Sequence, residues 1–356
     1  MSARDGAGRS GRAAVRVMLV RVGGALGLEG IVRVRQVLRH GTTERTIFTR
    51  EVDEATGLRV PVPSSVVGGI RINSDGWRGP ELETPKPDGC LRIAFLGGST
   101  TFCADVSSNE ATWPHLVAEG LRAAAERPVD YVNAGGPGYS SKHSIVNLRE
   151  RVATFEPDLV VIYHGTNDLN LDSIEAAEAR GLFSGRAEEP SWLARHSLAW
   201  YLVEKNLLVR ERLEGAGEET LDVPAAELSR AFEGRLEELV ELAGSLADEV
   251  VLCTFQPRAR AEQPEAVQVE NLRTSFYYMP YMDRAALMAG FHEYNRVVRA
   301  VAARTGAVLL DLDGAIPGDA EHYVDSVHFN DLGAARMGAA VTDGLLAEPR
   351  ILALLR

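Results

Sequence analysis

The sequence predicts an α/β fold, a three-layer α/β/α sandwich built on a mainly parallel five-stranded sheet. Three observations point there. From Leu91 onward, short apolar runs alternate with amphipathic stretches at strand–helix–strand spacing. The run Leu159–Tyr163 (Leu-Val-Val-Ile-Tyr) is apolar without alternation, as a strand covered on both faces requires. The composition, 45% hydrophobic and 25% charged over 356 residues, supplies one large core and excludes disorder, collagen and coiled coil.

Residues 1–50 read as a basic N-terminal arm or helix. They hold ten Arg against three acids, so this head carries a formal +7 and the rest of the chain −19. The apolar stretch from Val15 to Leu38 is broken by Arg16, Arg21, Glu29, Arg33 and Arg35, leaving no run of about 18 apolar residues to span a bilayer. Arg21 also sits where the apolar region of a signal peptide would lie. A basic amphipathic helix on an anionic membrane surface is one reading. The favoured expectation is a helix packed on the body or a solvated arm, with a cytoplasmic location, because charge-rich termini are usually solvated.

Residues 51–90 are punctuated by Pro and Gly and read as an irregular lead-in segment. The regular pattern over 91–350 then gives, in order, a strand over 92–96, a helix over 113–125, a strand over 129–133, a helix over 144–154 and the strand over 159–163. A mixed, partly charged stretch over 169–224 interrupts it and is expected to be a largely helical insertion. A helix over 225–246, a strand over 250–255, a helix over 285–305, a strand over 307–312 and a helix over 332–346 complete the domain.

Net charge bears on partners. With 38 basic against 50 acidic residues the chain is −12, which argues against nucleic acid, whose binding is driven by clustered Lys and Arg. Three cysteines, Cys90, Cys103 and Cys253, form no Cys-x-x-Cys pair, so they encode neither a disulfide framework nor a thiolate zinc site and are expected to be small core residues.

In open parallel sheets the ligand crevice lies beyond the carboxyl ends of the strands, so the segments after the strands are where chemistry is expected. The first strand runs into Gly97-Gly98-Ser99-Thr100-Thr101, which turns sharply and can present Ser99 near a helix N-terminus; taken alone, the Ser reads as a helix cap. The second ends in Asn133-Ala134-Gly135-Gly136-Pro137-Gly138-Tyr139. This only imitates a dinucleotide fingerprint, because the third Gly is replaced and no acid ends the next strand. A glycine there can instead leave a bare backbone N–H facing the crevice.

The third strand ends in His164-Gly165-Thr166-Asn167-Asp168. Asn167 can donate to a developing oxyanion or serve as a turn residue; Asp168 is expected to brace the turn and His164 to be a hydrogen-bonded packing residue. After the last strand, Asp325-Ser326-Val327-His328 places a carboxylate where it can fix the tautomer of an imidazole able to accept a hydroxyl proton. With His322 the same loop could be imagined as a metal site, a poor fit for ligands all on one short loop. The combination is more specific than its parts, since it supplies a nucleophile, a base, an orienting carboxylate and oxyanion donors in chain order.

These blocks resemble the SGNH, or GDSL-like, hydrolase superfamily from Leu91 to about Leu346. The stretch Arg71-Ile72-Asn73-Ser74-Asp75-Gly76-Trp77-Arg78-Gly79-Pro80-Glu81 is similar to one in many bacterial members. The resemblance implies the flavodoxin-like SGNH fold, with Ser99 as nucleophile, His328 as base and Asp325 as its partner. It also implies an oxyanion hole of the Ser99 N–H, the Gly138 N–H and the Asn167 side chain. Gly138 is preferred to Gly136 because it stands five residues after Asn133, as in the family's Asn-Ala-x-x-x-Gly pattern. Gly98 departs from the Gly-Asp-Ser form of the first block. The expected activity is a serine ester hydrolase that removes a small acyl group such as acetyl from a carbohydrate or small metabolite, with no cofactor and no metal. The alternatives are an O-acyltransferase using the same site and a non-catalytic binding or scaffold protein on the same fold. Residues 169–224 and the segment 256–284, with Phe276, Tyr277, Tyr278 and Tyr281, are candidate pocket walls, with core or interface packing as the competing role.

Overall fold

A computed structural model describes residues 27–37, 50–182, 191–215 and 220–356. Two compact units are distinguished, Met1–Thr46 with Ala187–Leu208, and Ile47–Arg186 with Val209–Arg356.

The larger unit is organised by five parallel strands: β1 (Leu91–Gly97), β2 (Val129–Asn133), β3 (Leu159–Tyr163), β4 (Glu249–Cys253) and β5 (Val308–Leu310). Their order is β2-β1-β3-β4-β5. The chain therefore winds outward in both directions from β1, and the crevice opens at the carboxyl ends of β1 and β3. Register keeps these ends level, with Gly97 opposite Tyr163 and Tyr163 opposite Cys253. Every residue of β1 and β3 is buried, as their unbroken apolar character requires.

Helices cover the sheet in two groups. Trp113–Ala124 packs with Asp331–Ala347; Ser141–Asn147, Thr166–Ala179 and Arg284–Thr305 pack around Ala225–Gly244. Local chemistry sets their ends. Thr112 caps the first by accepting from the His115 N–H, and Asp283 accepts from the Ala286 N–H at the start of Arg284–Thr305, which stops at Gly306.

The expected elements are all present, with shifted bounds. The helix expected over 144–154 starts at Ser141, because Ser140 and His143 form a reciprocal cap. It then loosens into a π turn (Leu148–Val152) and a 3₁₀ turn (Ala153–Phe155). The strands expected over 250–255 and 307–312 are cut short because the Thr254 hydroxyl takes the Leu312 N–H at 2.8 Å, ending the ladder. The lead-in segment is more ordered than its Pro and Gly content suggests. It forms two small antiparallel hairpins, Arg50–Val52 with Arg59–Pro61 and Val66–Val67 with Ile70–Arg71.

The stretch expected as an insertion over 169–224 divides. Helix Thr166–Ala179 buries Leu169, Asp172, Ser173 and Ala177 and is the covering helix that follows β3. Two further helices, Trp192–His196 and Leu198–Gly215, come after it. In the smaller unit, residues 27–37 are helical, and Glu29 accepts from the Ser197 hydroxyl (2.7 Å) and from the N–H groups of Leu198 (3.1 Å) and Ala199 (2.9 Å). The rest of the expected basic arm, residues 1–26 and 38–49, lies outside the described residues. Among the described residues no helix is long and apolar enough to cross a membrane.

Candidate active site

Ser99 is the first residue of a short helix, Ser99–Phe102, that leaves the end of β1. First-turn N–H groups have no partner within a helix, and no acceptor among the described residues takes that of Ser99. The turn is clamped from outside. Trp113 Nε1 donates to the Thr100 carbonyl at 2.9 Å. The fully buried Arg78, from the lead-in segment, donates to the carbonyls of Phe102 (3.0 Å), Cys103 and Ser108 (3.1 Å) and to Asn109 Oδ1 (3.1 Å). Burial pushes the Arg78 guanidinium down to about 10, which leaves it charged at neutral pH.

His328 and Asp325 arrive on the loop after β5. Ser99 Oγ lies 2.7 Å from His328 Nε2, and His328 Nδ1 lies 2.9 Å from Asp325 Oδ2. Facing a carboxylate, Nδ1 carries the proton and Nε2 presents its lone pair to the serine hydroxyl. The second carboxylate oxygen accepts from the N–H groups of Val327 and His328, both at 2.9 Å. Burial opposes charge on Asp325, but the His328 ring and these N–H donors outweigh it and hold the carboxyl at about 2. Ser326 anchors the loop by accepting from the N–H groups of Thr274 (3.0 Å) and Ser275 (3.4 Å).

The N–H groups of Gly136 and Gly138 in the loop after β2 differ in their partners. The Gly136 N–H donates to the Gly97 carbonyl at 3.0 Å, and the Tyr139 N–H returns to the Gly136 carbonyl at 2.9 Å. Gly136-Pro137-Gly138-Tyr139 is thus a tight turn, with Pro at its second position and Gly138 at φ +84°, the left-handed backbone that a type II turn requires there. Gly138 is exposed at the pocket, and its N–H has no acceptor among the described residues. Asn167, in the first turn of the helix after β3, donates one amide hydrogen to the Tyr139 carbonyl at 2.8 Å. Its second hydrogen is available to a ligand.

Gly98 explains the departure from the Gly-Asp-Ser form. A Cβ at this position would lie 2.5 Å from Asn167 Nδ2 and 3.0 Å from the Tyr139 carbonyl, so no side chain fits while that hydrogen bond stands.

A buried polar cluster lies beneath. Asp168 accepts from the Ser141 N–H (3.0 Å) and hydroxyl (2.5 Å) and from Arg235 (3.4 Å). Arg235 also donates to both oxygens of Asp172 (2.8 and 2.9 Å), which accepts from the Tyr294 hydroxyl at 2.6 Å. Asp168, expected to cap or brace the turn after β3, instead ties the helix that carries Asn167 to the one that follows Gly138. His164 is buried against the Ser144 hydroxyl (2.8 Å), and burial pushes its imidazole down to about 3, so it is neutral.

These groups open onto one pocket of about 460 Å³ lined by Ser99, Gly138, Asn167 and His328. Leu171, Ile174, Met279 and Val327 give it an apolar side; Ser140, Asn170, Thr274 and Tyr278 give it hydroxyls and amides. Asn170, Leu171 and Ile174 come from the stretch expected as a wall. Of the aromatic group only Tyr278 lines the pocket: Phe276 and Tyr281 are buried in the core, and Tyr277 packs edge-on against Tyr278. Each of the three cysteines is buried and free. Near His322, Asp319 and Glu321 converge with it at the surface, where the imidazole is already hydrogen-bonded to Asp319 at 2.8 Å.

Some pocket and support residues carry no motif. Arg50, whose guanidinium donates to the Pro137 carbonyl at 3.0 Å, comes from a hairpin far upstream, and Arg235 from the middle of a long helix. Neither has a sequence signal beyond an arginine in a plausible element.

No curated protein matches the chain in sequence. Among solved structures, an acetylxylan esterase from Geobacillus stearothermophilus is similar at 17% identity and a TM-score of 0.43, over 73% of this chain and 94% of that one. A hydrolase from a Lake Arreo metagenome gives 17% and 0.44 over 75% and 96%, and a lipase/acylhydrolase from Enterococcus faecalis 20% and 0.44 over 72% and 96%. The model of the GDSL-like Lipase/Acylhydrolase family matches residues 95–336, well over half of the sequence and all of the strand-end blocks that supply the pocket. The chain belongs to that family and is a serine ester hydrolase.

Proposed function

We propose that the protein cleaves its ester through an acyl-enzyme on Ser99, releasing a small acyl group such as acetyl from a carbohydrate or small metabolite. The observation that carries this reading is the continuous relay from Ser99 Oγ through His328 to Asp325, at 2.7 and 2.9 Å. His328 Nε2 takes the Ser99 proton as Oγ attacks the ester carbonyl. The oxyanion is held by the Ser99 N–H, the Gly138 N–H and the free hydrogen of Asn167. His328 then gives its proton to the departing alkoxide oxygen, and the alcohol leaves. In the second half, water loses a proton to His328, attacks the acyl carbonyl and releases the carboxylic acid with Ser99 restored.

The pocket supports a small acyl group on a polar alcohol. Its apolar side, with Leu171, Ile174 and Met279, suits an acyl chain, and its hydroxyl- and amide-bearing side suits sugar hydroxyls. Intact-mass labelling with a fluorophosphonate tests the nucleophile. Wild type is expected to gain one adduct that Ser99→Ala does not form. An unlabelled, well-folded wild type, or an adduct that survives in the mutant, would refute the assignment.

A further inference from the structure

The His143 ring has one edge and one face already engaged. The Ser140 N–H donates to Nδ1 at 3.2 Å, and the Ser140 hydroxyl lies 3.0 Å from the same nitrogen. A backbone N–H can only donate, so Nδ1 presents its lone pair and the proton of the neutral ring sits on Nε2. Burial lowers the pKa of this imidazole, with Lys142 acting in the same direction and Asp168 against it, so the ring is neutral at neutral pH. Tyr139 stacks on one face, with centroids 5.4 Å apart and planes at 12°, and its own hydroxyl donates to the Arg59 carbonyl at 3.1 Å. The imidazole is therefore oriented before any ligand arrives.

His143 lines the same pocket as Ser99, Gly138, Asn167 and His328. Among the described residues its ring forms hydrogen bonds only at Nδ1, and no Asp or Glu lines the pocket to accept from Nε2. A donor in such a place takes its acceptor from what the pocket binds. The Gly138 N–H and the second Asn167 hydrogen answer to the ester carbonyl oxygen. An acetyl group has no other oxygen beyond the ester linkage, so a further acceptor belongs to the alcohol part of the substrate.

We propose that His143 is a specificity-determining residue whose Nε2–H donates to an acceptor oxygen on the alcohol part of the ester, such as the ring oxygen of a sugar. This inference rests on the acyl-enzyme reading given above. It separates two roles of one side chain: Nδ1 caps the helix Ser141–Asn147, and Nε2 selects the alcohol.

Acetate release from cyclohexyl acetate is compared with release from tetrahydropyran-3-yl and tetrahydropyran-4-yl acetates, in which one ring methylene is replaced by an ether oxygen that accepts and cannot donate. Wild type is expected to prefer an oxygen-bearing ester by about fivefold to tenfold in kcat/KM, the value of one hydrogen bond, with the difference carried by KM. Three full-length variants divide the roles. His143→Glu keeps an acceptor for the Ser140 N–H in the manner of a capping box but has no donor. His143→Phe keeps the stack on Tyr139 and has neither. His143→Gln keeps an acceptor and a donor. The preference is expected to vanish in the Glu and Phe variants and to survive in part in the Gln variant, with thermal unfolding as the control for folding. Nitrogen NMR of protein carrying isotope-labelled histidine checks the tautomer directly, and a proton on Nδ1 of His143 would overturn the proposal. So would a wild type indifferent to the ring oxygen, or a preference that persists in the Glu and Phe variants. Fluorophosphonate labelling keeps the two readings apart. Ser99 labelled in wild type and in variants that retain the preference overturns the role of His143 alone, whereas an unlabelled wild type overturns the acyl-enzyme and this inference with it.

Discussion

The Asn167 side-chain amide donates to the Tyr139 carbonyl at 2.8 Å, joining the turn after β3 to the glycine loop after β2. That bond fixes the direction of the remaining amide hydrogen. It also leaves no room at Gly98, where a Cβ would stand 2.5 Å from the same nitrogen. Asn167→Ala is therefore expected to lower kcat by about a hundredfold or more, as loss of a preorganised oxyanion donor does. Gly98→Ala, which removes no donor but displaces one, is expected to lower kcat by about tenfold to a hundredfold, because misplacement by about an ångström has that effect. Steady-state kinetics on a nitrophenyl ester, with circular dichroism as a control for folding, checks both. Normal kcat in Gly98→Ala would mean that the amide is not held where catalysis needs it.

Asp325 does not titrate in the working range. Its carboxyl is held at about 2, below the ordinary 3.8, so the group is ionised from neutrality down to strongly acidic pH. The sign follows: a depressed carboxyl contributes stability above its unfolded value, and this is lost only as pH falls through about 2. Any loss of activity on mild acidification thus belongs to another group. Asp325→Asn is expected to lower kcat by about 10³ to 10⁴ across the whole profile by removing the acceptor that fixes the His328 tautomer. A pH–rate profile of wild type and variant on one substrate checks this. Convergence of the two at mildly acidic pH would show that Asp325 loses its charge there.

The sheet, its parallel sense and the strand-end positions of Ser99, Gly138, Asn167, Asp325 and His328 were legible because each depends on local information. Five apolar runs, turns built on glycine and an Asp three residues before a His are all written within a few neighbouring residues. The Asp168–Arg235–Asp172 cluster was not legible. Arg235 reaches Asp168 and Asp172 from a different helix, and charged residues on helices are ordinarily solvated, so nothing local marks the two carboxylates as buried. The same limit applies to Arg78. Its neighbourhood is a motif, but its contacts at Phe102, Cys103 and Ser108 are made across the fold. Phe276 and Tyr281 illustrate the converse, since clustered aromatics look alike whether they face a core or a pocket.

Arg78 links the lead-in segment to the turn that begins at Ser99 without touching the pocket. Its guanidinium meets backbone carbonyls and one amide oxygen, with no carboxylate within ion-pair distance among the described residues. Arg78→Met keeps much of the side-chain volume and removes these donors, leaving several buried acceptors unmatched. The expected loss is about 2 to 4 kcal/mol of stability, since each orphaned buried acceptor costs about 1 to 3 kcal/mol and part of this relaxes. Because the turn after Ser99 loosens, kcat should fall more than KM rises. Denaturant unfolding and kinetics together decide; unchanged stability would remove Arg78 from the support of this turn.

The buried cluster makes a pH prediction of opposite sign to that of Asp325. Burial raises the Asp172 carboxyl from 3.8 to about 6, against the hydrogen bond from Tyr294 and the charge of Arg235, which lower it. Between about 4 and about 6 the folded state binds a proton at this site that the unfolded state releases. Stability from this group is therefore complete below about 4 and is lost as pH rises through about 6. The loss amounts to about 3 kcal/mol, at about 1.4 kcal/mol per unit of displacement. Asp172→Asn removes the titration while Arg235 keeps its contact with Asp168 at 3.4 Å, so other ionisable groups cancel in the comparison. The stability of wild type relative to Asp172→Asn is expected to fall across this window and to level off above it, as read from thermal unfolding of both proteins at matched pH values. Parallel profiles would mean that Arg235 and Tyr294 hold the Asp172 carboxylate ionised throughout.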